Sequence, residues 1–130
     1  MSKTVLSSDG FSALSYSRNH KVFIDRPINE GGNDTAPTPI EYLLIAISSC
    51  VSMTLRVFSN RKKWKLGEIT VNVSQKNKLT SVGLVTTLIE EISFSKNVSE
   101  KQKKELLIAA SKCPVLQLLK NETKIKTIIL

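Results

Sequence analysis

The sequence predicts an α+β fold in which antiparallel sheets pack around one long buried helix, and three observations carry that prediction. A segment beginning at Pro39 stays apolar with helical period for some twenty residues. Segments before and after it alternate with strand period and are separated by turn residues. A second capped helical stretch follows near the C-terminus, so strands and helices are grouped rather than strictly alternating.

Taken in order, Thr4–Ser7, Phe11–Ser17 and Lys21–Asp25 read as a meander punctuated by Asp9-Gly10 and Arg18-Asn19. Residues 26–38 carry Pro27, Gly31-Gly32, Asn33-Asp34 and Pro37, the composition of a loop, and a loop of this length in a small domain is a functional candidate. Thr38, Pro39 and Glu41 then supply an N-cap, a first-turn proline and the acid of a T-x-x-E capping box. Ile40, Leu43, Leu44, Ile47, Cys50, Val51, Thr54, Leu55 and Phe58 follow at helical spacing, and Ile45, Ala46, Met53 and Val57 make the other side apolar too. A helix apolar nearly all round is expected to be buried on most faces, by its own chain or by a partner. It should end near Asn60-Arg61-Lys62-Lys63, cations suited to a helix C-terminus.

Ile69–Ser74 and Val85–Ser95 read as strands joined by a polar turn over Lys76–Gly83, and Ser99-x-x-Gln102 caps the second helix. Pro114 starts a short third helix, and Lys124–Leu130 reads as a final strand. No repeat, linker or low-complexity tract divides the chain, so residues 1–130 are expected to form a single domain.

Apolar residues make up 41% of the 130 residues and charged residues 23%, ordinary values for a soluble globular protein. The stretch Ile40–Phe58 has the length of a membrane span, but Ser48, Ser49, Ser52, Thr54 and Arg56 interrupt it, which favours a core helix over membrane association. Without the apolar core of a signal peptide at its start, the chain is expected to be cytoplasmic. The net charge of +8 gathers at Arg56, Arg61, Lys62, Lys63, Lys65 and at Lys101, Lys103, Lys104. Such clusters either keep a face solvated or bind a polyanion, and the solvated face is the simpler account. Trp64, beside lysines, serves to anchor the helix end rather than to stack on a base.

Chemistry concentrates in the two cysteines. Cys50 lies inside the apolar helix, and Cys113 precedes Pro114, at or beside an N-cap where unpaired N–H groups and the helix dipole favour a thiolate. They stand 63 residues apart, so only folding can bring them together. In a cytoplasmic protein such a pair is reactive or inert rather than a permanent structural disulfide. No His/Cys cluster has metal-ligand spacing, His20 being the only histidine, and Gly31-Gly32 lacks the lysine and further glycines of a phosphate loop. No metal or organic cofactor is expected.

The run from Gly31-Gly32 through Pro37-Thr38-Pro39, Glu41 and the apolar helix to Cys50, followed far downstream by Cys113-Pro114, resembles the OsmC/Ohr family of osmotically inducible and organic hydroperoxide resistance proteins. The resemblance runs from about His20 to the C-terminus. It implies an OsmC-like fold, an intertwined homodimer and a thiol-dependent peroxidase reducing small organic hydroperoxides, with a dithiol as reductant. By the same resemblance Cys50 is the peroxidatic and Cys113 the resolving cysteine, and an Arg and a Glu activate the thiol. Glu41 falls near the family glutamate, nine residues before Cys50. That interval puts the two on opposite faces of a regular helix, so Glu41 also reads as the capping acid alone. Arg26 is the candidate arginine, with Arg18 second. Two other classes stay open: a basic module binding nucleic acid through Arg56–Lys65, although no nucleic-acid partner is expected, and an OsmC-like protein without peroxidase activity that binds a small apolar ligand.

Overall fold

In the computed structural model, which describes residues 1–129, the N-terminal alternation closes into an antiparallel meander of β1 (Ser2–Leu6), β2 (Ala13–Ser17) and β3 (His20–Ile24). Ser17 pairs with His20 across the Arg18-Asn19 turn, and Arg18 takes a φ of 55° to close it. The described chain falls into two compact units, Met1–Leu43 and Leu44–Leu130, with helix α1 (Pro39–Arg61) running through the boundary.

In the first unit the loop after β3 is organised by one buried side chain. Asp25, with no exposed surface, accepts hydrogen bonds from the backbone N–H of Arg26 (2.8 Å), Asn33 (3.3 Å) and Thr35 (3.2 Å) and from the Thr35 hydroxyl (2.7 Å). The Thr35 hydroxyl first, then the Arg26 amide, hold the Asp25 carboxyl below the usual carboxylate range against the opposing effect of burial. Gly32 fits because a Cβ there would sit 2.0 Å from the Arg26 carbonyl oxygen. A carboxyl with a lowered folded pKa stabilises the fold above the ordinary carboxylate pKa, and that stability is lost as pH falls through the lowered value. Asp25→Asn should therefore loosen the loop at neutral pH and remove this acid sensitivity, read as faster hydrogen exchange at the Arg26, Asn33 and Thr35 amides.

α1 begins as its residues require. Thr38 N–H donates to Glu41 Oε2 (2.7 Å) and Glu41 N–H donates to the Thr38 hydroxyl (3.2 Å), closing the capping box. Along the helix Ile47, Val51, Leu55 and Ser59, four residues apart, form a fully buried stripe, while Ile40, Ile45, Met53 and Val57 are exposed in the single chain. The Arg56 guanidinium donates to the Gly67 carbonyl, so the charge inside the apolar segment is anchored rather than stranded. Trp64 packs edge-on against Phe58 at 5.8 Å beyond the helix end.

The second unit continues with β4 (Ile69–Thr80) and β5 (Gly83–Phe94), paired in register from Ile69–Phe94 to Thr80–Gly83 around a tight Ser81-Val82 turn. The first strand extends from the expected Ser74 to Thr80, and the second begins at Gly83, just before the expected Val85. The distal residues are solvated, and backbone pairing continues where no apolar face reports it. Ile69, Val71 and Val73 face the core with Leu88, Ile92 and Phe94. Glu90, opposite Val73, shares that face, and its Oε1 is buried without a hydrogen-bond partner. Burial pushes its pKa up, with Lys120 pulling the other way.

Helix α2 (Glu100–Ala110) carries the expected Ser99–Gln102 capping box and buries Leu106, Ala109 and Ala110. Helix α3 (Pro114–Lys120) starts at Cys113 and buries Leu116. Residues 124–129 join no sheet, in contrast to the expected final strand, and Leu130 lies outside the described residues.

Candidate functional site

Cys50 sits beside the buried stripe of α1, half-buried, and Cys113 is fully buried at the N-cap of α3. The Cys113 N–H donates to the Ala110 carbonyl (3.1 Å) and its own carbonyl accepts from Gln117 N–H (3.0 Å), which fixes the residue between α2 and α3. Both thiols are free, and Cys50 packs against the buried cluster that contains Cys113. Burial pushes the Cys113 thiol up, the contact with Cys50 pushes the same way, and the amides of Leu116 and Val115 pull it down without prevailing. The helix-dipole expectation of an acidic Cys113 is thus corrected. α3 has only seven residues, its cap residue makes no side-chain capping bond, and desolvation outweighs the dipole.

A pocket of about 1150 Å³ opens over Cys50 between α1 and α2. One wall is a single face of α1, from Ala46 through Cys50, Met53 and Val57 to Arg61. The other is Glu105, Ile108, Ala109 and Lys112 of α2 and its C-terminal end, with Pro114 and Val115 of α3 beyond. The floor is apolar and the rim carries three cations, Arg61, Lys62 and Lys112, against one acid, Glu105. Lys62 is bound to Glu105 at 2.8 Å. Sequence reasoning assigned Arg61 and Lys62 to the helix end and to the basic stretch Arg56–Lys65, not to a pocket beside Cys50, and gave Lys112 no role. The signal that finds Arg61 is its interval from Cys50, three helical turns within a fraction of a residue.

The other nominated residues lie in the first unit. Arg26 pairs with Glu30 at 3.2 Å and lies over the Phe11 ring at 4.8 Å. Glu41 is engaged by Thr38, whose amide and hydroxyl hold its carboxyl below the usual range. Among the described residues no three His, Cys, Asp or Glu side chains converge as a metal site.

The family model described as OsmC-like protein matches residues 31–128. An OsmC-like protein from Mycoplasma pneumoniae is 22% identical, with a TM-score of 0.71 over 92% of this chain and 86% of that one. An organic hydroperoxide resistance protein from Elizabethkingia anophelis is 18% identical, with a TM-score of 0.71 over 92% of this chain and 88% of that one. One from Legionella pneumophila, also described as a predicted redox protein and regulator of sulfide bond formation, is 15% identical, with a TM-score of 0.70 over 92% and 88% of the respective chains. At these identities the likeness is one of fold. No curated protein matches the sequence.

Proposed function

The chain belongs to the OsmC-like protein family, and from that premise we propose that it is a thiol-dependent peroxidase that reduces organic hydroperoxides to alcohols. The observation that carries the reading is the packing of Cys50, in the wall of an apolar pocket, against the buried cluster that contains Cys113. Cys50, reachable from the pocket, attacks as thiolate the distal oxygen of ROOH. The O–O bond breaks, Cys50 becomes the sulfenic acid, and the alkoxide takes a proton and leaves as ROH. The Cys113 thiol then attacks the Cys50 sulfur, expelling water and forming the Cys50–Cys113 disulfide, and an external dithiol restores both thiols while becoming a disulfide itself. A raised Cys113 pKa suits a resolving thiol, which stays protonated until the sulfenic acid forms beside it.

Arg26 and Glu41 are the residues we nominate, on the resemblance, for activating Cys50. The proposed assembly is a homodimer, with the exposed Ile40 and Ile45 of α1, which lie outside the pocket lining, in support of it, and the proposed location is cytoplasmic. The apolar floor favours a bulky organic peroxide over a small polar one. The direct test counts free thiols after stoichiometric peroxide is added to the reduced protein. Cumene hydroperoxide should remove both thiols per chain far faster than hydrogen peroxide does. Thiols that survive cumene hydroperoxide would sink the peroxidase reading.

A further inference from the structure

We propose that Met53 is a site of oxidative modification, whose thioether takes oxygen from organic hydroperoxides gathered in the Cys50 pocket and whose sulfoxide then makes the pocket floor polar and shuts out further bulky guests. The oxidation of Met53 stands apart from the peroxidase reading, whereas its timing and its effect on turnover rest on that reading. Along α1 the buried stripe runs through Ile47, Val51, Leu55 and Ser59, and Met53 lies off it, 67% exposed. It is nonetheless no ordinary surface residue, because it lines the pocket together with Cys50, one turn before it, and Val57, one turn after. Residues three apart on a helix are neighbours, with Cβ atoms about 5–6 Å from each other. The thiol and the thioether therefore stand side by side on one wall, in front of the same apolar space.

The chain has two methionines and two cysteines, and among the described residues Met53 is the one sulfur besides Cys50 that lines this pocket. Its chemistry differs from that of a thiol. A thioether needs no ionisation to act as a nucleophile, so no cation or base has to stand beside it. The sulfur lone pair attacks the distal oxygen of ROOH, the O–O bond breaks, and the hydroperoxide proton moves to the departing alkoxide, leaving the sulfoxide and ROH. Sulfur loses two electrons and the peroxide gains them. While a dithiol keeps Cys50 reduced, its thiolate intercepts peroxide first, being the stronger nucleophile. Once that reductant is exhausted and Cys50 is held in the disulfide, Met53 is the sulfur left facing the pocket. The S=O group turns a flexible apolar side chain into a polar one. Thiol reductants reopen the disulfide but leave the sulfoxide, which a methionine sulfoxide reductase removes, so the mark outlasts the event.

The test compares two thioethers of similar exposure in one chain. Leu107 is 70% exposed on α2 and lies outside the pocket lining, so Leu107→Met supplies a reference sulfur. That protein is treated with excess cumene hydroperoxide or hydrogen peroxide, without reductant, and sulfoxide at positions 53 and 107 is counted by peptide mass spectrometry. Cumene hydroperoxide should oxidise position 53 about tenfold faster than position 107, because the pocket raises its local concentration. Hydrogen peroxide, with nothing apolar to hold it there, should oxidise the two within about twofold of each other. Equal or slower oxidation at position 53 with cumene hydroperoxide overturns the proposal. So does the same preference for position 53 with both oxidants, which would make it a property of the sulfur rather than of the pocket. Oxidised wild type is then reduced with dithiothreitol and assayed. Its KM for cumene hydroperoxide should rise about threefold or more and return after methionine sulfoxide reductase treatment. Met53→Leu taken through the same steps should keep its KM. A KM that does not move in wild type overturns the closure of the floor. Selective oxidation of position 53 in a protein whose thiols consume no peroxide upholds the modification site and removes the peroxidase reading instead.

Discussion

Cys50→Ser is expected to lower kcat/KM for an organic hydroperoxide by about 10³-fold or more, to the level of the uncatalysed reaction with the reductant. The nucleophile forms the covalent intermediate, so no neighbouring group can substitute for it. The replacement is nearly the same size and sits at a half-buried position, so the far-ultraviolet circular dichroism should not change. Cys113→Ser should behave differently. It leaves the first chemical step intact, and one equivalent of peroxide should be consumed in a burst. Turnover should then stall with Cys50 as a sulfenic acid that dimedone traps and mass spectrometry identifies. A Cys50→Ser protein that keeps its turnover, or a Cys113→Ser protein that neither bursts nor traps, would contradict the division of labour proposed for the pair.

The second large effect concerns the core that holds the pair in place. Leu55, without exposed surface, packs in one cluster with Val51, Leu66, Leu106 and Cys113. Leu55→Ala deletes buried methyl groups that the surrounding helices and hairpin can only partly close over. It should cost about 3 kcal/mol in urea unfolding, within the usual range of about 2–5 for such truncations. Leu107→Ala, on α2 but 70% exposed, should change stability by less than about 0.5 kcal/mol. Equal costs at the two positions would mean that the buried side of these helices is misassigned.

What the residues disclosed and what they withheld follow one physical line. Features written locally were legible: the Thr38–Glu41 and Ser99–Gln102 capping boxes, the Arg18-Asn19 turn and the helix between Pro39 and Arg61 all depend on neighbours within a few residues. The distal end of β4 escaped because Gln75–Leu79 is solvated on both faces, so no alternation marks the pairing. The stretch after Lys124 misled for the converse reason, since alternation defines a face but not a strand that will pair with it. Both cysteines stood out as residues, and the resemblance implied their pairing. The burial that overrides the dipole at Cys113 comes from a cluster that includes Ile47, Val51 and Leu55 of α1, far away in sequence. Arg61 was visible as a charge and hidden as a pocket wall, because its meaning lies in its phase relative to Cys50.

If the proposed peroxidase cycle operates, the complete enclosure of Cys113 has a consequence for its return half. A disulfide has two sulfurs, and an incoming thiolate must approach one of them in line with the bond it breaks. Only one of the pair offers a face to solvent. In the proposed cycle an external dithiol is therefore expected to dock over α1 and take Cys50 first, forming the mixed disulfide there and releasing Cys113 as the leaving group. Under that proposal, the order of bond exchange follows from which sulfur the fold leaves in the open.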